Sequence, residues 1–354
     1  MYLKEQMTIL VEKPKQAIEH LKRNSSIERY RIGDAATSIR LKKAKDLLGE
    51  DRILVDQVSD GSIIKIFDKT AFPQKPSDVV CPHFLELKWA NGCYYDCAWC
   101  YLNGTFRFLE RGKNPFLKDK NKIVKSIESL FIGWETPVLL NSGELADSLV
   151  FEGHEFSLSK DIIPLFKKQK THKLLILTKS SNVEGILDSD SQDVVITSFS
   201  LNAYPVSERW ENRAPHPRER IKAAQKLFNA GYQVRIRIDP IVPIEGWKNT
   251  YLELVDDIFS SFYPERITLG SLRGLQSTIN NCKDKTWVQY LSNKRGSNWG
   301  KKIEDELRMN IYSTIIGHLE SRYSYDSVAL CKETLSMWGN IHKDYKLINC
   351  NCIL

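Results

Sequence analysis

The amino-acid sequence predicts an α/β protein: a partial (β/α)6 barrel of the TIM type, with an N-terminal helical extension and a C-terminal cysteine-containing extension. From residue 84 onward, short apolar runs alternate with longer helical patterns, which is typical of parallel strands joined by helices. The 354 residues are 42% hydrophobic and 10% aromatic, enough to bury a core, so a disordered chain is excluded. We expect three regions, at residues 1–80, 81–270 and 271–354.

Six short apolar runs supply the predicted barrel strands. They are Phe84–Lys88, Val138–Asn141, Leu174–Thr178, Val194–Leu201, Val234–Ile238 and Arg266–Leu269. Helical periodicity fills the gaps between them, at Asn121–Phe131, Leu158–Lys167, Arg218–Ala230 (closed by Gly231) and Tyr251–Phe259. Barrels of this kind carry their chemistry at the C-terminal ends of the strands, so that end is where we expect the site.

The flanking regions are less regular than the barrel. The N-terminal region contains two helical candidates and one strand candidate, Pro14–Asn24, Ala35–Leu48 and Ser62–Phe67. After the barrel come an irregular insertion, a helix and a short strand, at Ser271–Lys302, Glu304–Glu320 and Ser327–Leu330.

The fifth barrel strand has charged residues at alternate positions. Arg235, Arg237 and Asp239 share one face of it, because side chains alternate along a strand with a period of two. A filled apolar core would not accept them. Either this face lines a polar cavity, which we favour, or the strand is an edge with one wet side.

Charge and hydropathy limit the partners. With 51 Lys and Arg against 44 Asp and Glu, the net charge of +7 permits a polyanionic partner without requiring one. No apolar run has the length of a bilayer span, and residues 1–15 lack the apolar centre of a signal peptide. We expect a cytoplasmic protein with no membrane partner. Its oligomeric state is not predicted.

The densest chemical motif is the loop after the first barrel strand. Cys93, Cys97 and Cys100 have the spacing C-x3-C-x2-C. Three thiolates on one short loop suit a [4Fe–4S] cubane, in which the fourth iron has no protein ligand and stays open for reaction. A zinc site and unrelated core thiols are the alternatives. Zinc is disfavoured, because no fourth Cys or His follows at short spacing.

This spacing, at this place in a βα-repeat chain, resembles the radical S-adenosylmethionine (SAM) superfamily. The resemblance implies that Cys93, Cys97 and Cys100 hold a [4Fe–4S] cluster whose open iron is chelated by SAM. One electron, from a donor such as flavodoxin or ferredoxin, would then split SAM into methionine and a 5′-deoxyadenosyl radical that abstracts hydrogen from a substrate.

A narrower resemblance, to the spore photoproduct lyase family, is spread over most of residues 84–260. It rests on Cys97–Asn103, Leu177–Lys179, Ser198–Ala203, Asp239–Ile241 and Glu245–Trp247. It implies SAM contacts for Tyr101, Lys179 and Ser200, and Asn202 in the same segment joins the cofactor-binding candidates. Asn141–Glu144 resembles the superfamily element that meets the methionine amino group, a role for Glu144 or Ser142. The catalytic candidates are Tyr101, Arg237 and Asp239.

The sequence departs from that family in two places. The family uses a cysteine just past the second strand as a hydrogen donor to the repaired thymine, but here no cysteine lies between Cys100 and Cys282. Trp99 also replaces the family's tyrosine. We therefore predict a modification or rearrangement of a nucleobase or nucleic acid rather than repair of spore photoproduct. The alternatives are a small-molecule or peptide substrate in natural-product, amino-acid or cofactor biosynthesis, and a cluster-binding sensor that is not an enzyme.

The C-terminal cysteines need a separate explanation. Cys331, Cys350 and Cys352 are brought together in an extension that the resemblance does not cover. We predict that they hold a second iron–sulfur cluster. A zinc site completed by His342 or Cys282, and free thiols on a frayed tail, are the alternatives.

Basic segments are compatible with a nucleic-acid partner. They are Lys13–Arg23, Arg40–Lys45 and Lys283–Lys302, and the last contains three aromatic residues, Trp287, Tyr290 and Trp299. Aromatic rings among lysines suit stacking on unpaired bases together with phosphate contacts. The alternative, which we favour for this segment, is a surface loop whose tryptophans pack inward.

Overall fold

A computed structural model describes residues 8–24, 27–67, 72–292 and 299–354. The N-terminal region contains β1 (Thr8–Val11), α1 (Pro14–Arg23), β2 (Ile27–Ile32), β3 (Ile39–Lys45), β4 (Asp51–Val58) and β5 (Ile64–Phe67). The barrel region follows with these elements: β6 (Phe84–Leu87), β7 (Ala90–Asn91), α2 (Leu102–Thr105), β8 (Phe116–Leu117), α3 (Lys120–Gly133), β9 (Leu139–Asn141), a π-helical turn (Leu158–Ile162), α4 (Ile163–Lys167), β10 (Lys173–Thr178), α5 (Glu184–Ser189), β11 (Val195–Leu201), α6 (Tyr204–Trp210), α7 (Pro217–Asn229), β12 (Gln233–Ile241), α8 (Trp247–Ser261) and β13 (Arg266–Ser271).

The C-terminal region adds β14 (Arg273–Gly274), α9 (Gln276–Asn281), a 3₁₀ turn (Thr286–Tyr290), β15 (Lys301–Lys302), α10 (Asp305–Tyr323), β16 (Val328–Leu330), α11 (Leu335–Asn340) and a second 3₁₀ turn (Tyr345–Leu347). None of the helices in the described ranges has both the length and the apolar content that a membrane span requires.

The parallel sheet of the barrel follows chain order. Strands β6, β9, β10, β11, β12, β13 and β16 pair side by side, each parallel to the next. All six predicted barrel strands are present, and β16, from the region after residue 270, adds a further strand beside β13. Strands β9, β11 and β13 are buried throughout, as parallel strands covered on both faces are. The fold is therefore the predicted partial barrel.

The helices close the barrel from outside, and their ends follow local capping chemistry. At the start of α7, His216 and Glu219 cap each other's backbone reciprocally, and Pro217 occupies the first turn. The helix ends just before Gly231, which has a φ of +85° that a residue with a β-carbon rarely adopts. The buried side chains of α7, including Ile221 and Leu227, face the sheet.

The N-terminal region is mostly sheet, and the prediction of a helical extension was wrong except for α1. The segment Ala35–Leu48, predicted as a helix, contains strand β3. Ile39 and Leu41 are buried while Arg40 between them is partly exposed, so the burial follows the period of a strand. Strands β2 to β5 form an antiparallel series, and β5 pairs antiparallel with β6, which joins this layer to the barrel sheet.

Candidate active site

The three-cysteine loop is held in place by the segment that follows α6. The backbone N–H of Ala98 donates to Trp210 O at 2.9 Å, and Arg213 N–H donates to Tyr95 O at 2.9 Å. Cys97 and Glu211 form an isolated antiparallel bridge. These contacts fix the loop between the end of β7 and the start of α2, with its thiols at the C-terminal side of the barrel.

The donor set of the loop fits an iron–sulfur cubane. Burial, followed by the neighbouring carboxylate of Glu211, raises the pKa of the Cys97 thiol to about 12, and burial raises the pKa of Cys93 strongly. Bound iron would offset these raised pKa values, because it favours the thiolate form in which cysteine binds metal. In the described part of the chain, no three His, Cys, Asp or Glu side chains converge as a single metal ion requires. A cubane does not need that convergence, because its thiolates bind separate irons.

One cavity of about 260 Å³ joins the cysteine loop to the C-terminal ends of the barrel strands. Nine of the predicted site residues line it: Cys93, Cys97, Cys100, Tyr101, Glu144, Lys179, Ser200, Arg237 and Asp239. They come from separate elements along the chain, so the fold alone brings them together. This is the place where parallel barrels carry their chemistry.

Two predicted cofactor contacts lie beside this cavity rather than in its lining. The Ser142 hydroxyl, 2% exposed, contacts Ser148 Oγ and the Leu175 carbonyl, both at 2.8 Å. Asn202 is fully buried and binds the Pro240 carbonyl and the Tyr251 hydroxyl. Both side chains hold strand ends together, so of the two candidates for the methionine amino group, the geometry favours Glu144.

Lys179 is part of a buried charge network. Its ammonium lies 3.5 Å from Glu211 Oε1, and Arg220 lies 2.7 Å from Glu211 Oε2. Burial alone would raise the pKa of Glu211, but Lys179 and Arg220 lower it to about 2. Burial alone would lower the pKa of Lys179, yet Glu211 and Cys97 raise it. The lysine therefore carries a fixed positive charge beside the cysteine loop.

The charged face of β12 divides into a part in the cavity and a part beneath it. Asp239 accepts two hydrogen bonds from Arg273, at 2.9 and 2.8 Å, and despite burial Arg273 lowers the pKa of Asp239 to about 2. Arg237 contacts the sulfur of Cys352 at 2.9 Å. Arg235 is almost fully buried and donates to the carbonyls of Asn351 and Ile353. Since β12 lies between β11 and β13, the alternative of a wet edge is wrong.

Tyr101 and Glu144 also line the cavity. The Tyr101 hydroxyl donates to the backbone carbonyl of Glu144, and the Glu144 carboxylate accepts from Asn141 Nδ2 at 2.9 Å. Burial raises the pKa of Tyr101 strongly. The phenol therefore stays neutral and acts as a hydrogen-bond donor.

The three C-terminal thiols have different surroundings. Cys331 lies 3.7 Å from Arg273 Nη2, while Cys352 lies between Arg237 and Asn141, 3.9 Å from Asn141 Nδ2. Cys350 is buried, two residues before Cys352 in the tail. The second cluster predicted on these residues gains no support from this arrangement and stays a prediction. Nothing in the sequence indicates that the thiol of Cys352 lies beside Asn141, at the end of the second barrel strand.

The aromatic residues of the insertion mostly face inward. Trp287 is fully buried, and Tyr290 packs edge-on against Trp210. Trp299 is different, because it lines the cavity and stacks on Phe67, with ring centroids 5.7 Å apart. Trp287 therefore fits the interpretation in which the tryptophans of the insertion pack inward, because it is enclosed by the core.

Several residues of the site were not predicted. Lys332 lines the cavity, with its ammonium 3.8 Å from the Phe67 ring centroid and 3.6 Å from that of Trp299. Arg273 and Glu211 were missed as well. A buried Asp239 implies a cation nearby, but nothing in the sequence indicates which of 51 basic residues supplies it.

A sequence model of a family described as "Spore photoproduct lyase" matches residues 75–271. The spore photoproduct lyase of Clostridium acetobutylicum is 25% identical over 174 residues, which are 48% of this chain and 50% of that protein. The spore photoproduct lyase of Bacillus subtilis is 24% identical over 230 residues, 61% of this chain and 65% of that protein. The chain thus spans half to just under two thirds of the curated relatives it matches.

Solved structures show the same fold at lower identity. Spore photoproduct lyase complexed with dinucleoside spore photoproduct superposes with a TM-score of 0.59 at 19% identity, covering 70% of this chain and 75% of that one. A spore photoproduct lyase variant with bound AdoMet and dinucleoside spore photoproduct gives a TM-score of 0.57 at 19% identity, covering 73% and 80%.

Proposed function

The chain belongs to the spore photoproduct lyase family of radical SAM enzymes, and on this premise we propose that it cleaves SAM reductively at a [4Fe–4S] cluster and acts on a substrate that contains a nucleobase. The observation that carries the proposal is the shared cavity. The three thiols of the cysteine loop line it together with Tyr101, Glu144, Lys179 and Ser200, the residues for which the family resemblance implies contacts with SAM.

Cys93, Cys97 and Cys100 would hold the cluster. When bound, the cluster and SAM supply a 5′-deoxyadenosyl radical that removes a hydrogen atom from the substrate. Lys179 and Ser200 orient SAM from the strand ends, and Glu144 receives its amino group. A one-electron donor such as flavodoxin or ferredoxin serves as the partner.

The far wall of the cavity supports an aromatic, anionic substrate. Trp299 places an aromatic ring in the cavity lining, and Lys332 and Arg237 add positive charge to the same lining. A nucleobase with a nearby phosphate matches that combination of ring and charge. Of the three basic segments, Lys13–Arg23 lies on the other side of the barrel, where Lys22 shares a cavity with Leu139 at the start of β9. It therefore has no part in this contact.

We propose a modification or rearrangement rather than repair of spore photoproduct. The reason is the sequence after the second barrel strand, Asn141–Ser142–Gly143, where the family's donor cysteine is absent. Dinucleoside spore photoproduct tests this directly. If the reconstituted protein converts it to the dinucleoside with two separate thymine bases, the proposal is contradicted. If it is recovered unchanged, the proposal is supported.

The alternative is a small-molecule or peptide substrate with a carboxylate. The modest cavity volume and the buried charges of Arg237 and Asp239 favour it. Binding to single-stranded oligonucleotides at increasing salt separates the two substrates. A steep fall of affinity with salt supports the nucleic acid, and salt-insensitive or absent binding supports the small molecule.

Production of 5′-deoxyadenosine tests the radical chemistry. Protein reconstituted without oxygen, reduced and mixed with SAM should form 5′-deoxyadenosine. Cys97→Ser should form none, because it lacks a ligand of the cluster. Cys282→Ser is the matched control, a buried thiol outside the cavity lining, and should behave as the unchanged protein does. A protein that binds iron but forms no 5′-deoxyadenosine would be a sensor.

Iron and sulfide content tests the second cluster predicted on Cys331, Cys350 and Cys352. About four irons per chain correspond to one cubane, and about eight correspond to two.

A further inference from the structure

A segment of consecutive turns, residues 105–116, lies directly against the cysteine loop. The backbone N–H of Cys93 donates to Lys113 O at 2.8 Å. Within the segment, the N–H of Asn114 donates to Arg111 O at 3.1 Å. These hydrogen bonds make the segment a continuation of the surface that the cysteine loop presents.

Basic side chains gather on this surface around Asp96, a residue of the cysteine loop. Lys113 Nζ lies 2.7 Å from Asp96 Oδ1, and Lys283 Nζ lies 3.8 Å from Asp96 Oδ2. The side chain of Lys283 is 90% exposed. Arg213 is exposed as well, and its backbone N–H donates to Tyr95 O, next to Asp96. With the two arginines of the turn segment, five cations face two carboxylates here: Arg107, Arg111, Lys113, Arg213 and Lys283 against Asp96 and Glu110.

Exposed apolar side chains lie among these charges. Phe108 is 83% exposed, and the Arg107 guanidinium lies 4.1 Å from its ring centroid. Leu109 follows it in the turn segment, and Tyr94 comes from the cysteine loop itself; both are also exposed. A small apolar area surrounded by charge is typical of a surface that binds another protein transiently.

We propose that this surface, the basic face formed by residues 105–116 with Tyr94, Arg213 and Lys283, docks an acidic one-electron carrier protein that reduces the cluster. The inference rests on the proposed radical SAM function. One electron leaves the reduced carrier, which is oxidised by one electron, and the cluster gains it. Because the cysteine loop is part of the basic face, little protein would separate the cluster from a carrier bound there. The positive charge would steer an acidic carrier to this place.

The position of the basic face favours a carrier protein over a nucleic acid. Cations and rings suit both partners, but a substrate has to reach the cavity into which the three thiols of the cysteine loop point. Phe108, Arg111, Arg213 and Lys283 do not line that cavity. An electron, unlike a substrate, can enter through the outer surface of the loop.

Binding of flavodoxin and of ferredoxin to the reconstituted full chain tests the proposal without turnover. At low salt, Arg111→Glu should weaken binding of the carrier about tenfold, because it places a negative charge opposite an acidic protein. Phe108→Ser should weaken binding as well, and the affinity of the unchanged protein should fall with salt. Lys222→Glu, the same kind of charge reversal at an exposed position of α7, is the matched control and should bind as the unchanged protein does.

The choice of reductant separates docking from radical chemistry. Dithionite is a small molecule that does not need a docking surface. Arg111→Glu should therefore form 5′-deoxyadenosine from SAM at the unchanged rate with dithionite, and more slowly than the unchanged protein with a reduced carrier below saturation. If the unchanged protein forms none with dithionite, the proposed function fails, while the binding measurement still decides whether the basic face docks a carrier.

Two results would overturn the proposal. The first is equal affinity of Arg111→Glu and Lys222→Glu for both carriers. The second is weaker binding of a single-stranded oligonucleotide by Arg111→Glu with carrier binding unchanged, which would assign the basic face to a nucleic acid.

Discussion

At the scale of single residues, the site is built from buried charges that are paired. Glu211 is 2% exposed and Arg220 is fully buried, and each would be costly in the core without the other. Lys179 uses the same carboxylate but reaches the cavity. Charge pairing therefore has two effects here. It offsets the desolvation cost of burying Glu211 and Arg220, and it keeps the Lys179 ammonium directed at the place where SAM would lie.

Lys179→Met separates these two effects. Glu211 keeps its 2.7 Å contact with Arg220, so the chain should fold and load iron as before. The affinity for SAM should fall about tenfold, which corresponds to one lost charge-assisted hydrogen bond of about 1.4 kcal/mol. Equilibrium dialysis of reconstituted protein against SAM measures it. Lys222→Met, an exposed lysine of α7, is the control, and equal affinities for the two variants would remove Lys179 from the SAM site.

At the scale of elements, most of the barrel strands were predictable because they are buried along nearly their whole length. Val195–Leu201 is a continuous apolar and small-polar run, and β11 occupies it completely. The N-terminal region was not predictable in the same way. Its strands are partly exposed and β3 is rich in lysine, so the segment containing β3 fits a helical pattern about as well as an extended one. Only pairing with β2 and β4 decides the outcome.

The same limit applies to the site. Cys93, Cys97, Cys100, Lys179 and Ser200 were found because local motifs carry them. Arg273 and Lys332 reach the cavity from the insertion and the residues after β16, Glu211 contacts Lys179 from the position after α6, and no local pattern marks these three residues. Long-range packing places these three side chains, and a single sequence carries no direct record of it.

A buried network joins three elements behind Lys332. Glu333 pairs with Lys302 of β15 at 3.0 Å and with Arg308 of α10, and it accepts from Tyr312 at 2.8 Å. Burial would raise the pKa of Glu333, but Lys302 and Arg308 lower it to about 2. A carboxyl whose pKa is lower in the folded state stabilises the fold above its unfolded pKa, and this contribution is lost as the pH falls toward the folded pKa.

Glu333→Gln should therefore lower the free energy of unfolding at pH 7 by about 3 kcal/mol, the value of a pKa shift of roughly two units. The difference between the two proteins should shrink as the pH falls from about 4.5 toward 2. Urea unfolding across that range measures it. Glu304→Gln is the control, because it removes a carboxylate at the N-cap of α10. It should lower the free energy of unfolding much less than Glu333→Gln does. A difference for Glu333→Gln that does not change with pH would mean that the charge of Glu333 is not what stabilises the network.

At the scale of the whole molecule, the two ends of the barrel are closed by different parts of the chain. The cysteine loop and the insertion cover the C-terminal end, where Gly104 of α2 approaches the backbone of Thr278 so closely that a β-carbon would lie 2.7 Å from its nitrogen. The tail closes the other end. It satisfies Arg235 and Arg266, charges that no filled apolar barrel would hold. The charged face of β12 and the C-terminal tail therefore depend on each other.

Asn351→Leu tests that dependence on the stability of the full chain. The substitution keeps the number and branching of the side-chain heavy atoms. Because Asn351 is fully buried, the change leaves Ser198, Thr268 and the Ile236 carbonyl without their hydrogen-bond partner. The free energy of unfolding should fall by about 3 kcal/mol, since each buried polar group left unsatisfied costs roughly 1 kcal/mol or more. Asn349→Leu is the matched control, because the same change two residues earlier lies at an exposed position and should cost less than about 0.5 kcal/mol. Urea unfolding of both variants gives the comparison. Equal losses would mean that the tail lies on the barrel without supporting it, and that Arg235 and Arg266 are satisfied in some other way.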